Sequence, residues 1–556
     1  MASLPTDKHG AGFLGRSSGS SLYQQVTQLA GLRSSGNAPT GEPSNSRHDR
    51  DLPSLRSGFF LSNARVFSTV ISTPLVDAYF SCYNTSNPVL DERDFRRSLG
   101  RDSGNSRRDP YFGVQYQLVL AIGHWIIGGD ESLHASFYHA ARAQLSLQCL
   151  ESGSLSLVQA LLLVGNFLQK RDRPNTGYNY IGLAGRIAVG LGLHREAHND
   201  VTQDRGRVQL RRRVLWILFY IESGFALTTG RPCLIDDGAI ETSLPANLDD
   251  EDVLTVERNK TEVDRPTVCS AMIVQSKLAI IANRLQRNLF ASKTVNSEEI
   301  EHSIKSLEEQ LLDWRVQIPA YFYSAGVPEW FRGPRAIVMW KEQNLRMIFW
   351  RACKRNPNAY LSGEEASRRS YRTALENIRE IANFCHDYDD LLHQNICWYA
   401  TYCSFQAALV LILGQLEERQ TASTNTVGTS LPLADGLSQA CTCLNVLSSR
   451  MAAARRCVSV VENLSRSLNI NLSAAPEVSN NGLGTDGSLY ANAPGAQNGE
   501  ATNDPADGST LGQLNVSTDL ALPLDVEQSF DMLFQQMQNF EGDWTTADFG
   551  NLNFEV

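Results

Sequence analysis

The residues best suited to chemistry lie between 385 and 397, where Cys385, His386, Asp389, Asp390, His393 and Cys397 fall close together. On a continuous helix, His386 with Asp390 and Asp389 with His393 stand four residues apart, a spacing that can hold a divalent ion. The same spacing also gives solvated pairs with no ligand, and no second half-site is visible, so no metal is expected. The 11 cysteines all lie between Cys82 and Cys457 and form no quartet with zinc spacing. Cys441 and Cys443 point to different faces of a helix, so buried thiols are the expectation. Gly190 and Gly192 lack the third glycine of a dinucleotide fingerprint. They read as a helix stop, with close packing through Gly182, Gly185 and Ala188. No phosphate loop, no His-Glu-x-x-His and no nucleophile elbow occurs. No catalytic residue and no cofactor is expected, and the chain does not read as an enzyme.

Charge gives a second set of candidates. Arg205, Arg207, Arg211, Arg212 and Arg213 cluster ahead of an apolar helix, with a weaker group at Lys170, Arg171 and Arg173. Phosphate binding needs several cations on one exposed face. Arg211 to Arg213 span three sides of their helix, so internal pairing is expected instead. Glu222, inside the apolar run, needs a donor if buried, and Arg231 or one of the preceding arginines is the candidate.

These residues must be positioned by helices. Of 556 residues, 42% are hydrophobic, enough for a sizeable core. Helical periodicity covers 75–95, 111–131, 131–147, 154–175, 176–196 and 209–232, then 264–290, 297–317, 337–357, 364–388, 391–417 and 434–468. Period-2 alternation and hairpin signals are not seen. The expected fold is all-α, with a disordered N-terminus at 1–55, a helical body at 56–350 continuing through 351–468, and a disordered linker at 469–515. No stretch reads as an uninterrupted membrane span, and residues 1–20 carry no secretory leader. The compartment expected is one with free thiols, cytosolic or nuclear.

The last segment, 516–556, is different. Residues 467–556 hold 13 of the 60 acidic residues and none of the 50 basic ones, so the formal net charge of -10 belongs to the tail. Phe530, Leu533, Phe534 and Met537 fit one side of a short helix, and Trp544 and Phe549 follow among carboxylates. Like charges keep such a segment open while its large apolar groups remain available to a partner groove. This composition marks activation segments that fold on coactivators. Docking on the chain's own body is the other reading.

An ordered set of motifs carries a resemblance. Asn179 and Tyr180 open it. Gly192, Leu193, His194 and Arg195 close one helix, Arg212, Arg213 and Trp216 mark the next, and Gly230, Arg231 and Pro232 form a turn with Asp236 beyond. Together 173–245 resemble the fungal-specific transcription factor domain, or middle homology region, of the zinc binuclear cluster family. There these residues are mainly structural; here they are expected to cap, turn and pair helices, with His194 satisfying terminal carbonyls. The resemblance implies a nuclear regulator of RNA polymerase II genes in a fungus, controlling a metabolic or biosynthetic gene set. It also implies a homo- or heterodimer and responses to protein or small-molecule effectors. That family's six-cysteine zinc cluster is not found, since no cysteine precedes Cys82. Three readings stay open: a module missing from this chain, a coregulator reaching DNA through a DNA-binding partner protein, or a competitor for that partner. A helical scaffold without transcriptional activity, or an enzyme acting on a small apolar molecule, are the alternatives.

Overall fold

The computed structural model describes residues 13–31, 69–100, 109–151, 153–196, 205–251, 262–290, 297–355, 361–422, 432–470 and 472. Among them the regular structure is helical throughout, as expected. The first half comprises α1 (Gly19–Leu29), α2 (Thr69–Ala78), α3 (Glu92–Leu99), α4 (Phe112–Ile126), α5 (Glu131–Gln144), α6 (Leu155–Lys170), α7 (Pro174–Gly190) and α8 (Arg205–Thr229). The second comprises α9 (Ser270–Leu285), α10 (Ser297–Val316), α11 (Glu329–Lys354), α12 (Gly363–Asp387), α13 (Gln394–Ala422), α14 (Leu433–Ser448) and α15 (Ala452–Ser467).

Local sequence explains most boundaries. Ser154 caps α6 by accepting from Leu157 N–H at 3.1 Å, and Ser362 caps α12 through Glu365 N–H at 3.2 Å. Pro174 opens α7 at its first turn, where a missing N–H costs nothing. Two central helices, α8 and α13, are apolar on several sides and buried for most of their length. The stretch Gln394–Arg419 is long and apolar enough to cross a membrane by length and composition. This corrects the expectation that no stretch is, but the apolar window is wholly buried in the protein, as in a core helix.

Four other expectations change. Residues 13–31 are not the expected disordered segment: Ser18 caps α1, whose Leu22 and Val26 are fully buried. Helix α11 starts at Glu329, not 337. Gly333 and Pro334 sit inside it, and Gly333 lets α13 approach, since a Cβ there would meet Ile396 Cδ1 at 2.5 Å. The division expected at 350/351 falls within α11, and one apolar core runs from Leu22 to Ile470 across it. The helix expected over 434–468 is two, because Met451 is extended (φ -139°, ψ 120°) and α15 starts after it.

Candidate functional site

Helices α6 and α7 form a hairpin whose backbones nearly touch. A Cβ at Gly177 would lie 2.6 Å from Gly165 O and 3.0 Å from the Phe225 ring. The close approach expected at Gly182 and Gly185 is not there: a Cβ at either would meet only ordinary contacts with Leu234 and Ile235. The end of α7 follows the expected stop. Gly192 takes φ +68°, its N–H donates to Val189 O at 2.9 Å, and Leu193 N–H reaches back to Ala188 O at 3.0 Å.

From that end the chain is pinned to α8 and to residues 236–250. Thr242 Oγ1 donates to Leu193 O at 2.6 Å, and the His194 carbonyl accepts from Glu241 N–H at 2.9 Å. The His194 ring does not take the expected role: its buried Nδ1 has no hydrogen-bond partner, and its backbone makes the link. Arg195 pairs with Glu241 on the surface. Arg212 Nη2 and Ser243 N–H both donate to the Glu196 carboxylate, at 2.7 and 2.8 Å. Trp216 Nε1 donates to Ser243 O at 3.0 Å and lies as close to Thr242 O. Arg213, nearly buried, holds Asp250 at 2.6 Å, and Arg211 reaches Leu191 O. Arg211, Arg212 and Arg213 are therefore spent on internal partners in three directions, while Arg207 of the same cluster is exposed.

The turn after α8 is the second half of the frame. Gly230 has φ +70°, and a Cβ there would collide with the backbone of Gly15. Arg231 is buried. Its Nη2 donates to Asn175 Oδ1 at 3.0 Å, its Nε to Phe13 O at 3.0 Å, and its guanidinium lies 4.5 Å over the Tyr178 ring. Asn175 and Tyr178 were missed in the sequence, although they stand in the Asn-x-x-Tyr spacing of the resemblance. Asn179 is exposed and Tyr180 only partly buried, so neither opens the frame. Pro232 is exposed, and Asp236 accepts from Gly238 N–H and pairs with Arg287.

Glu222 is not held by an arginine. Its Oε1 accepts from Leu234 N–H at 2.9 Å, while Oε2 is buried without a partner. Burial raises its pKa to about 7. A carboxyl raised in the fold from an unfolded value near 4.5 lowers stability as pH climbs between those two values. We expect Glu222→Gln to leave stability unchanged at pH 4.5 and to raise it by roughly 1–3 kcal/mol at pH 8. Urea denaturation at both pH values checks this; equal effects at the two would refute the assignment.

The metal-like cluster does not assemble. Helix α12 ends at Asp387 and Tyr388 breaks it, so the four-residue spacings never share a helix face. His386 contacts Asp387, Asp389 pairs with Arg450 at 2.8 Å, and His393 is partly buried, with desolvation pushing its pKa down to about 3. Among the described residues no group of three metal-ligating side chains converges. Cys441 and Cys443 are buried free thiols on α14, and Cys443 Sγ lies 3.9 Å from Cys385 Sγ. Phe530, Leu533, Phe534, Met537, Trp544 and Phe549 lie outside the described residues.

The class defined by these features is an all-helical domain whose marked polar residues join helices to one another. Residues 76–316 match the fungal specific transcription factor domain, and the chain carries that domain. Relatives of this chain are named as regulators or activators. The chain is 27% identical over 353 residues to the lactose regulatory protein of Kluyveromyces lactis, covering 60% of this chain and 37% of that protein. It is 25% identical over 380 residues to the thiamine repressible genes regulatory protein of Schizosaccharomyces pombe, covering 65% and 46%. It is 23% identical over 300 residues to the activator of stress genes 1 of Saccharomyces cerevisiae, covering 51% and 31%. The chain spans less than half the length of each of these relatives.

Proposed function

We propose that the protein regulates transcription of RNA polymerase II genes in a fungal nucleus, through a rigid helical body and an acidic tail that recruits coactivators. DNA is read by a partner protein or by a module outside this chain. The observation that carries the reading is the domain match over 76–316. The frame of Arg212, Trp216 and Arg231 inside it supports the match, because it accounts for the family motifs as staples within the body. Relatives named for lactose, acetamidase and thiamine-repressible genes support a metabolic gene set. The tail reading rests on composition: Phe530, Leu533, Phe534, Met537, Trp544 and Phe549 among carboxylates, with no basic residue from 467 onward.

Fusing residues 469–556 to a neutral DNA-binding module is expected to raise reporter output severalfold. Replacing Phe530, Phe534 and Trp544 together with alanine should return it to background. Silence of the unaltered fusion would remove the activation role, and unchanged output in the triple variant would remove these side chains from it.

A further inference from the structure

Helices α6, α8, α9, α11 and α13 line a half-open pocket with a volume of about 100 Å³. One side is apolar, with Leu227, Leu278, Ala279 and Ala282. The other carries Gln275, Lys341, Trp398 and Tyr399, and no aspartate or glutamate lines the wall. Lys341 Nζ donates to Gln275 Oε1 at 2.5 Å and lies 4.7 Å over the Tyr399 ring and 5.5 Å over that of Tyr220. Among the described residues it has no carboxylate partner. Gln275 Nε2 and Trp398 Nε1, in the same wall, are buried donors with no hydrogen-bond partner.

A desolvated ammonium without a counter-charge is costly, and each buried orphan donor adds a penalty. Around one void, Gln275 Nε2 and Trp398 Nε1 lack an acceptor and Lys341 lacks a counter-charge, and a negative acceptor meets all three. The volume is below the roughly 150 Å³ that admits benzene, which suits an occupant of about four to six non-hydrogen atoms. We propose that this cavity binds a short-chain monocarboxylate, its carboxylate on Lys341, Gln275 and Trp398 and its alkyl group against Leu278 and Ala282. The site stands on its own geometry and goes beyond the transcriptional reading.

Lys341 is suited to this. Burial lowers its pKa only to about 8, so it stays charged at neutral pH. Lys170 of α6 also lies over the Tyr399 ring, at 4.4 Å, but donates to Asn395 Oδ1 and is driven well down by burial and by Lys341. The other titratable groups facing Lys341 are Tyr220 of α8 and Tyr399, Tyr402 and Cys403 of α13. Burial pushes all four up, which leaves them neutral through pH 9.5.

Titration calorimetry of the full chain with propionate and isobutyrate is the test, with propionamide and isobutyramide as neutral isosteres. At pH 6.5 at least one acid should bind with Kd on the order of 1 mM or tighter, and its amide at least tenfold more weakly. Binding should weaken at least tenfold by pH 9.5, where Lys341 loses its proton, and at least tenfold in Lys341→Met. The pH comparison uses the unaltered chain, so it decides the matter even if that variant misfolds. A cavity holding water alone gives no heat with either acid, and that overturns the proposal, as does equal binding of acid and amide or insensitivity to pH. None of these results depends on reporter output, so this site and the transcriptional role fail separately.

Discussion

Glu342→Gln is expected to destabilise the helical body by roughly 3–5 kcal/mol, the cost of breaking a buried ion pair from one side. Glu342 lies on α11 with its side chain fully buried. Its two oxygens accept from Arg315 Nε and Nη2 of α10, at 3.0 and 2.9 Å, and Arg346 one turn along α11 donates to it as well. Arg346 Nη2 is already a buried donor without a partner. An amide in place of the carboxylate removes the negative charge and aims its own N–H groups at guanidinium donors. Arg315 and Arg346 would then lose their directly bonded counter-charge. The nearby Glu380 replaces it only in part, since burial raises its pKa to about 7. As a control, Arg97→Ala breaks the exposed pair with Asp94 and should cost less than about 1 kcal/mol, because water screens it. Guanidinium denaturation of both variants measures the difference. A cost below about 1 kcal/mol for Glu342→Gln would mean the cluster is open to water and joins nothing.

The residues around this cluster show what can be read in advance. Leu307, Leu311 and Trp314 recur along α10 at helical spacing, so the element and its buried face are legible in the chain. The pairing of Arg315 with Glu342, across two helices, is not, because periodicity reports which face is buried and says nothing of its partner. Glu222 failed for the same reason. Its acceptor role is met by the backbone of Leu234, and a search for side-chain partners does not see backbone. Arg231 was found by its turn, yet its partners Asn175 and Phe13 stand far off in the chain. The metal-like cluster misled because four-residue spacing was read through Tyr388, where the helix ends without glycine or proline to announce it.

The N-terminal helix was illegible for another reason, and it yields the second large effect. Gly and Ser are the commonest of the first 50 residues, and averaging over them hides a helix that buries only a narrow stripe. That stripe is Leu22 and Val26, four apart and fully buried, and α1 lies against α13. The N-terminal flank and the middle of α1 are tied down. Gly15 N–H donates to Thr229 O at 2.8 Å and Ser17 Oγ to Leu227 O at 3.0 Å, while Arg355 holds Gln25 at 2.9 Å. Leu22→Ala should therefore cost about 2–5 kcal/mol, the transfer of three carbons plus the cavity they leave. With so few apolar residues in α1, the loss should fall on local detachment before global unfolding. Amide hydrogen exchange can see this: protection in α1 should drop roughly 30-fold or more, while that in the centre of α13 changes little. Detachment also strips Arg231 of its bond to Phe13 O and opens the Gly230 turn, so exchange at the Ala226–Arg231 hydrogen bond should quicken with it. If α1 amides exchange at unfolded rates in the unaltered chain, the helix is not docked, and the signature turn is held by Asn175 and Tyr178 without it.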